Sequence, residues 1–61
     1  MPKVFRVLLG EDDRIVGDMY QTGLEKLGWQ VIRAEHGSQV IRSASRDQPD
    51  IVLLDMHMPG P

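Results

Sequence analysis

The sequence predicts a small doubly wound α/β domain whose three parallel strands lie in the order 2-1-3. Three observations carry that expectation. Residues 4–9 and 51–54 are near-continuous apolar runs of strand length, as strands covered on both faces require. Between the ends of the chain, segments with strand character alternate with segments of helical spacing, giving strand–helix–strand–helix–strand and right-handed crossovers. Both apolar runs finish in carboxylate, Glu11-Asp12-Asp13 after the first and Asp55 after the last. That sets the acids at the carboxyl edge of a parallel sheet, where open α/β sheets place ligands.

The first strand spans residues 4–9, where Val, Phe and Leu dominate, and Gly10-Glu11-Asp12-Asp13 breaks it. Asp13 is placed to cap the first helix by accepting its first free amides. From Arg14 onward, Ile15, Val16, Met19, Tyr20, Gly23, Leu24 and Leu27 recur at helical spacing and form the face expected to meet the sheet. Gly28 closes this helix. Gly17 and Gly23 inside it each cost about 1 kcal/mol against alanine, which a close helix–sheet approach would explain. The second strand spans residues 29–34, with Trp29 covering the end of the first helix. The polar Gln30 and Arg33 suit a sheet edge. Glu35-His36-Gly37 reads as a solvated turn, and Ser38 as the cap of a short second helix with Val40, Ile41 and Ala44 on one face. Gln48-Pro49-Asp50 ends it, because the residue before proline is pushed out of helix. Arg42 and Arg46 form its solvated side. The two helices are expected on opposite faces of the sheet.

At 61 residues the chain holds at most one small domain, and a domain this short buries only about 60% of its unfolded surface. Cysteine is absent, which excludes a disulfide or thiolate site and fits a reducing compartment. His36 and His57 have no companions for a zinc cluster. The net charge is −2 with both signs scattered, so no basic block favours nucleic acid and no basic amphipathic stretch favours a membrane surface. No apolar run reaches the ~20 residues of a membrane span, and the N-terminus lacks the apolar core of a signal peptide. The expected setting is cytoplasmic.

The acids carry the chemistry. Glu11, Asp12 and Asp55 at neighbouring strand ends offer the oxygen ligands that a hard cation such as Mg²⁺ takes while it keeps several waters. Clustered carboxylates repel one another, and a cation relieves that repulsion. A carboxylate beside the cation is placed for in-line attack on a phosphoryl group.

These residues resemble the receiver domain of two-component response regulators. The likeness runs through Val7-Leu8-Leu9-Gly10-Glu11-Asp12-Asp13, Leu24-Glu25-Lys26-Leu27-Gly28-Trp29-Gln30-Val31, Ala34-Glu35-His36-Gly37 and residues 49–60, in which strand, Asp55 and Met58-Pro59-Gly60 follow at fixed spacing. The resemblance implies a flavodoxin-like fold with Asp55 as phosphoacceptor. It implies Asp12 as a direct Mg²⁺ ligand, Glu11 acting through water, and the backbone carbonyl of His57 as a further ligand. It also implies a sensor histidine kinase or phosphotransfer protein as donor, with small acyl phosphates such as acetyl phosphate as substitutes. Such domains catalyse only their own phosphorylation and dephosphorylation, so no enzyme acting on an external substrate is expected.

The hydroxyl residue and the lysine that the resemblance places at the ends of strands four and five are not among these residues. The chain is therefore expected to be the N-terminal half of a receiver domain over residues 1–61, weak or inactive as a phosphoacceptor. In that case residues 51–54 would expose an apolar strand edge, a template for pairing. The alternative function is a non-catalytic half-domain that folds as a homodimer through that strand. A phosphatase that uses an aspartyl-phosphate is disfavoured, because such enzymes want a second aspartate two residues after the first and His57 stands there.

Overall fold

The computed structural model describes residues 3–55. Within them β1 (Arg6–Glu11), α1 (Arg14–Lys26), β2 (Gln30–Ala34), α2 (Gly37–Asp47) and β3 (Ile51–Asp55) follow in the expected order. All strand pairs are parallel and the order is β2-β1-β3, the β-α-β-α-β part of a flavodoxin-like sheet. Among the described residues no helix is long and apolar enough to cross a membrane.

The core is the central strand. Val7, Leu8 and Leu9 are fully buried, joined by Ala34. Successive strand residues point to opposite faces, so β1 is covered on both. Burying each such aliphatic side chain is worth about 1.5–3 kcal/mol. Register sorts the faces. Val7 and Leu9 lie level with Val31 and Arg33, while Arg6, Leu8 and Gly10 lie level with Gln30, Ile32 and Ala34. Arg33 donates to Asp18 of α1 at 2.8 Å, which places α1 over the first set. Arg6 donates to the carbonyl of Asp47, the last residue of α2, which places α2 over the second.

The helix ends follow the chemistry of their residues. The Asp13 carboxylate accepts from the amides of Ile15 and Val16 at 2.9 and 3.1 Å. At the other end Gly28 adopts φ 85°. Its amide donates to the Glu25 carbonyl at 2.9 Å and the Trp29 amide to Leu24 at 3.2 Å, a paired closure that needs a left-handed residue and favours glycine.

Several boundaries and faces differ from the sequence reading. β1 starts at Arg6, because its pairing with β2 begins there, and it runs on through Gly10 and Glu11, which find partners in β3. Phe5 instead packs against Trp29, with ring centroids 5.7 Å apart. Trp29 is occupied in closing α1, so β2 starts at Gln30. The cap of α2 is His36, not Ser38. The side-chain oxygen of Gln39 turns back to accept from the amides of His36 and Glu35 at 3.1 and 2.6 Å, and Ser38 falls inside the helix.

The expected apolar faces are only partly used. Ile15, Met19 and Ile41 are exposed, as are Tyr20, Leu27 and Ala44. The buried helix positions are Gly17 and Ser43. Both helices pack mainly on β1 and β2, so apolar residues turned away from those two strands are left exposed among the described residues. The same holds for β3, whose residues from Ile51 to Leu54 are all exposed.

Gly17 has a specific reason. A Cβ there would collide with the Arg33 guanidinium, whereas nothing lies within 4 Å of a Cβ at Gly23. Close approach thus explains the first glycine and not the second. The guanidinium is held by Asp18 at 2.8 Å and Gln21 at 3.0 Å, so it moves aside only by losing those bonds. Gly17→Ala is therefore expected to lower the melting temperature, although alanine is the better helix former. In an Arg33→Ala background the same change is expected to stabilise by about 1 kcal/mol. Thermal or urea denaturation of the two single variants and the double variant reads this reversal of sign.

Candidate functional site

Parallel pairing of β1 with β3 sets Glu11 directly beside Asp55. Each is the last residue of its strand, and both share the α1 face with Val7 and Leu9. Asp12 follows in the connecting turn, exposed. Glu11, Asp12, Asp13 and Asp55, with Val16 of α1, line one open cavity of about 440 Å³. The acids singled out in the sequence at 11, 12 and 55 are thus brought to one place. Asp13 lines the cavity while its carboxylate caps α1. His57, expected to offer its carbonyl, lies outside the described residues.

Glu11 is the constrained member. It is only 2% exposed. Its Oε1 accepts from the Asp13 amide at 2.9 Å, while Oε2 is buried with no hydrogen-bond partner among the described residues. The Asp13 amide is the largest single influence on its titration and pulls it down. Burial and the neighbouring carboxylates Asp12 and Asp55 together outweigh that amide, and Glu11 titrates above the ordinary glutamate range.

The sequence reading missed one member of the site. Tyr20, expected in the core, is 42% exposed and its hydroxyl donates to Asp55 Oδ2 at 3.2 Å. That bond, and next the charge of Asp55, raise the phenol's titration. The available signal was spacing: Tyr20 stands one helical turn after Val16, which lines the cavity.

The donor set fits Mg²⁺. It is all oxygen, it is anionic, and it includes a buried carboxylate oxygen without a partner. Among the described residues no three or more His, Cys, Asp or Glu side chains form a ready-made metal cage. Mg²⁺ characteristically takes one or two carboxylates and completes its shell with water, a number of acids that this edge presents.

A parallel sheet with carboxylates gathered around a cavity at its carboxyl edge defines the class as an α/β domain with an acidic edge. Comparison with known proteins narrows the class. The response regulator receiver domain family matches residues 7–61, and the chain belongs to that family. It is 38% identical over 56 residues to an uncharacterized transcriptional regulatory protein, YrkP, of Bacillus subtilis, covering 92% of this chain and 24% of that protein. It is 39% identical over 54 residues to the transcriptional regulatory protein PrrA of Mycobacterium tuberculosis, covering 88% and 23%. It is 40% identical over 57 residues to the protein PilH of Pseudomonas aeruginosa, covering 90% and 46%. The chain thus spans about a quarter to a half of the length of these relatives. No solved structure matches it.

The crowding of acids gives a test. Because the Glu11 carboxyl titrates high in the fold, its charged form opposes folding, and that penalty grows as pH rises through its folded value. Glu11→Gln removes the charge and keeps an oxygen for the Asp13 amide. Without divalent cation it is expected to raise the melting temperature at pH 7 by a few degrees and to change little well below pH 4. Melting curves across pH 3–8, with EDTA, check this. An equal gain at both ends of that range would refute it.

Proposed function

We propose that this chain is a phosphoacceptor module of a two-component signalling system, in which Asp55 takes a phosphoryl group from a histidine kinase or phosphotransfer protein. The observation that carries this reading is the register that sets Asp55 beside the buried acid Glu11, with Asp12 on the same cavity. In the proposed step an Asp55 carboxylate oxygen bonds to phosphorus as the donor's phosphorus–nitrogen bond breaks. The imidazole leaves and takes a proton from solvent. Asp12 and Asp55 would hold Mg²⁺ directly and Glu11 through water. The cation would supply charge neutralisation for the incoming phosphoryl oxygens. The chain's own part is to fix the two strand ends and to keep Glu11 oriented through the Asp13 amide.

Labelling is expected to be slow. Both lysines of the sequence lie away from this edge. Lys3 is paired with Asp50 at the amino ends of the strands, and Lys26 stands in the last turn of α1. Among the residues of this sequence, none supplies a lysine ammonium to the transferred group. No turnover of an external substrate is expected, and a cytoplasmic setting suits a donor of this kind. Intact mass after incubation with acetyl phosphate tests the reading. The expected result is one substoichiometric phosphoryl adduct that needs Mg²⁺ and disappears in Asp55→Asn. An adduct that survives Asp55→Asn would overturn it.

The bare third strand favours a second reading beside the first. Ile51, Val52, Leu53 and Leu54 are all exposed, and among the described residues β3 is hydrogen-bonded along β1 only. An apolar strand in that position is a pairing template. A second copy related by a two-fold axis would pair β3 with β3 and extend the sheet to six strands. Light scattering on a sizing column is expected to give a dimer at micromolar concentration. A folded monomer there would refute the pairing.

A further inference from the structure

We propose that Tyr20 is a positioning residue that restrains Asp55 before phosphorylation, a role that rests on the phosphoacceptor reading of Asp55. The hydroxyl of Tyr20 donates to Asp55 Oδ2 at 3.2 Å, and no other side-chain hydrogen bond to Asp55 occurs among the described residues. The contact is built into the fold. Asp55 faces α1 because it lies level with Glu11. Helical side chains lean toward the helix N-terminus, and the N-terminus of α1 sits at the acidic edge, where Asp13 caps it. Tyr20 is six residues into the helix, about 9 Å along its axis. Its phenol reaches back to the carboxylate.

The direction of the effect follows from charge. An O–H donor binds a carboxylate more strongly than the neutral carbonyl of an acyl phosphate. The bond therefore stabilises the unphosphorylated state and engages one of the two oxygens that would attack phosphorus. Stabilising the ground state alone slows the chemical step. Once Asp55 carries the phosphoryl group, its remaining carbonyl oxygen is the weaker acceptor, and this bond no longer favours the unphosphorylated state.

Tyr20→Phe removes the hydroxyl and keeps the ring. Acetyl phosphate with Mg²⁺ is the probe, and intact mass follows the adduct while Asp55 carboxyl ¹³C NMR follows the contact. Tyr20→Phe is expected to label about three- to tenfold faster than the parent chain, the range set by one partly exposed hydrogen bond. The lifetime of the adduct after donor removal should be unchanged, whereas a loosened site would shorten it. The Asp55 carboxyl resonance should shift between the two proteins before any donor is added. Tyr20→Leu, which also lacks the hydroxyl, should label fast as well. Equal labelling rates in Tyr20→Phe and parent, with Asp55 still the acceptor, would overturn the role of Tyr20 alone. An unshifted Asp55 resonance would do the same. Absence of any adduct in both proteins, with the shift present, would overturn the phosphoacceptor reading and this role with it.

Discussion

Burial of β1 on both faces, with hydrogen bonding along both of its edges, is the constraint on which the rest of the structure depends. Val7, Leu8 and Leu9 are the only fully buried large side chains among the described residues. Each helix covers one side of them, and each neighbouring strand takes its register from the same backbone. Arg6 reinforces the arrangement at the amino end. Its side chain donates to Gln30 and to the carbonyl of Asp47, and its amide to Asp50, so one residue ties β1 to β2, to the end of α2 and to the start of β3. A slip of one residue would turn every side chain of a strand to the other face. Three consecutive buried aliphatic residues in β1, with Arg6 anchored at its start, oppose such a slip.

That register also makes the acidic edge. Glu11 and Asp55 are neighbours because Val7 pairs with Ile51 four residues earlier. The turn at Asp13 then serves two elements. Its carboxylate caps α1, while its amide holds Glu11. The start of the helix and the orientation of the buried acid are thus fixed by the same residue. A shift of α1 would disturb the carboxylate, and a change of charge at the carboxylate would be felt at the helix.

Much of this was legible in the sequence, and what was not has identifiable causes. Element order, strand order and the convergence of positions 11, 12 and 55 follow from period changes and from where the apolar runs stop. The Asp13 cap and the Gly28 closure are local chemistry and read directly. Ile15, Met19 and Ile41 were misplaced because periodicity finds an apolar stripe but cannot say how much sheet lies beneath it, and here both helices sit on two strands. Ser38 is not a cap because the helix already begins at Gly37, with His36 as its cap and the Gln39 side chain turned back to the His36 amide. The Tyr20–Asp55 contact joins residues 35 apart, and only the register of β1 with β3 brings them together.

The two edges of the sheet treat the same kind of residue in opposite ways. At the amino edge Asp47 and Asp50 each have a cation. Asp47 is held below the ordinary aspartate range, first by its bonds to Arg46. Asp50 is held below it by Lys3 and then by the Arg6 amide. At the carboxyl edge no salt bridge among the described residues involves Glu11, Asp12, Asp13 or Asp55. Glu11 is instead buried beside other acids and titrates high. A chain that neutralises its acids at one end has the means to do so at the other. The charged form of a buried carboxylate set beside other acids works against folding, so the burial of Glu11 at this edge is not accounted for by its own contribution to stability.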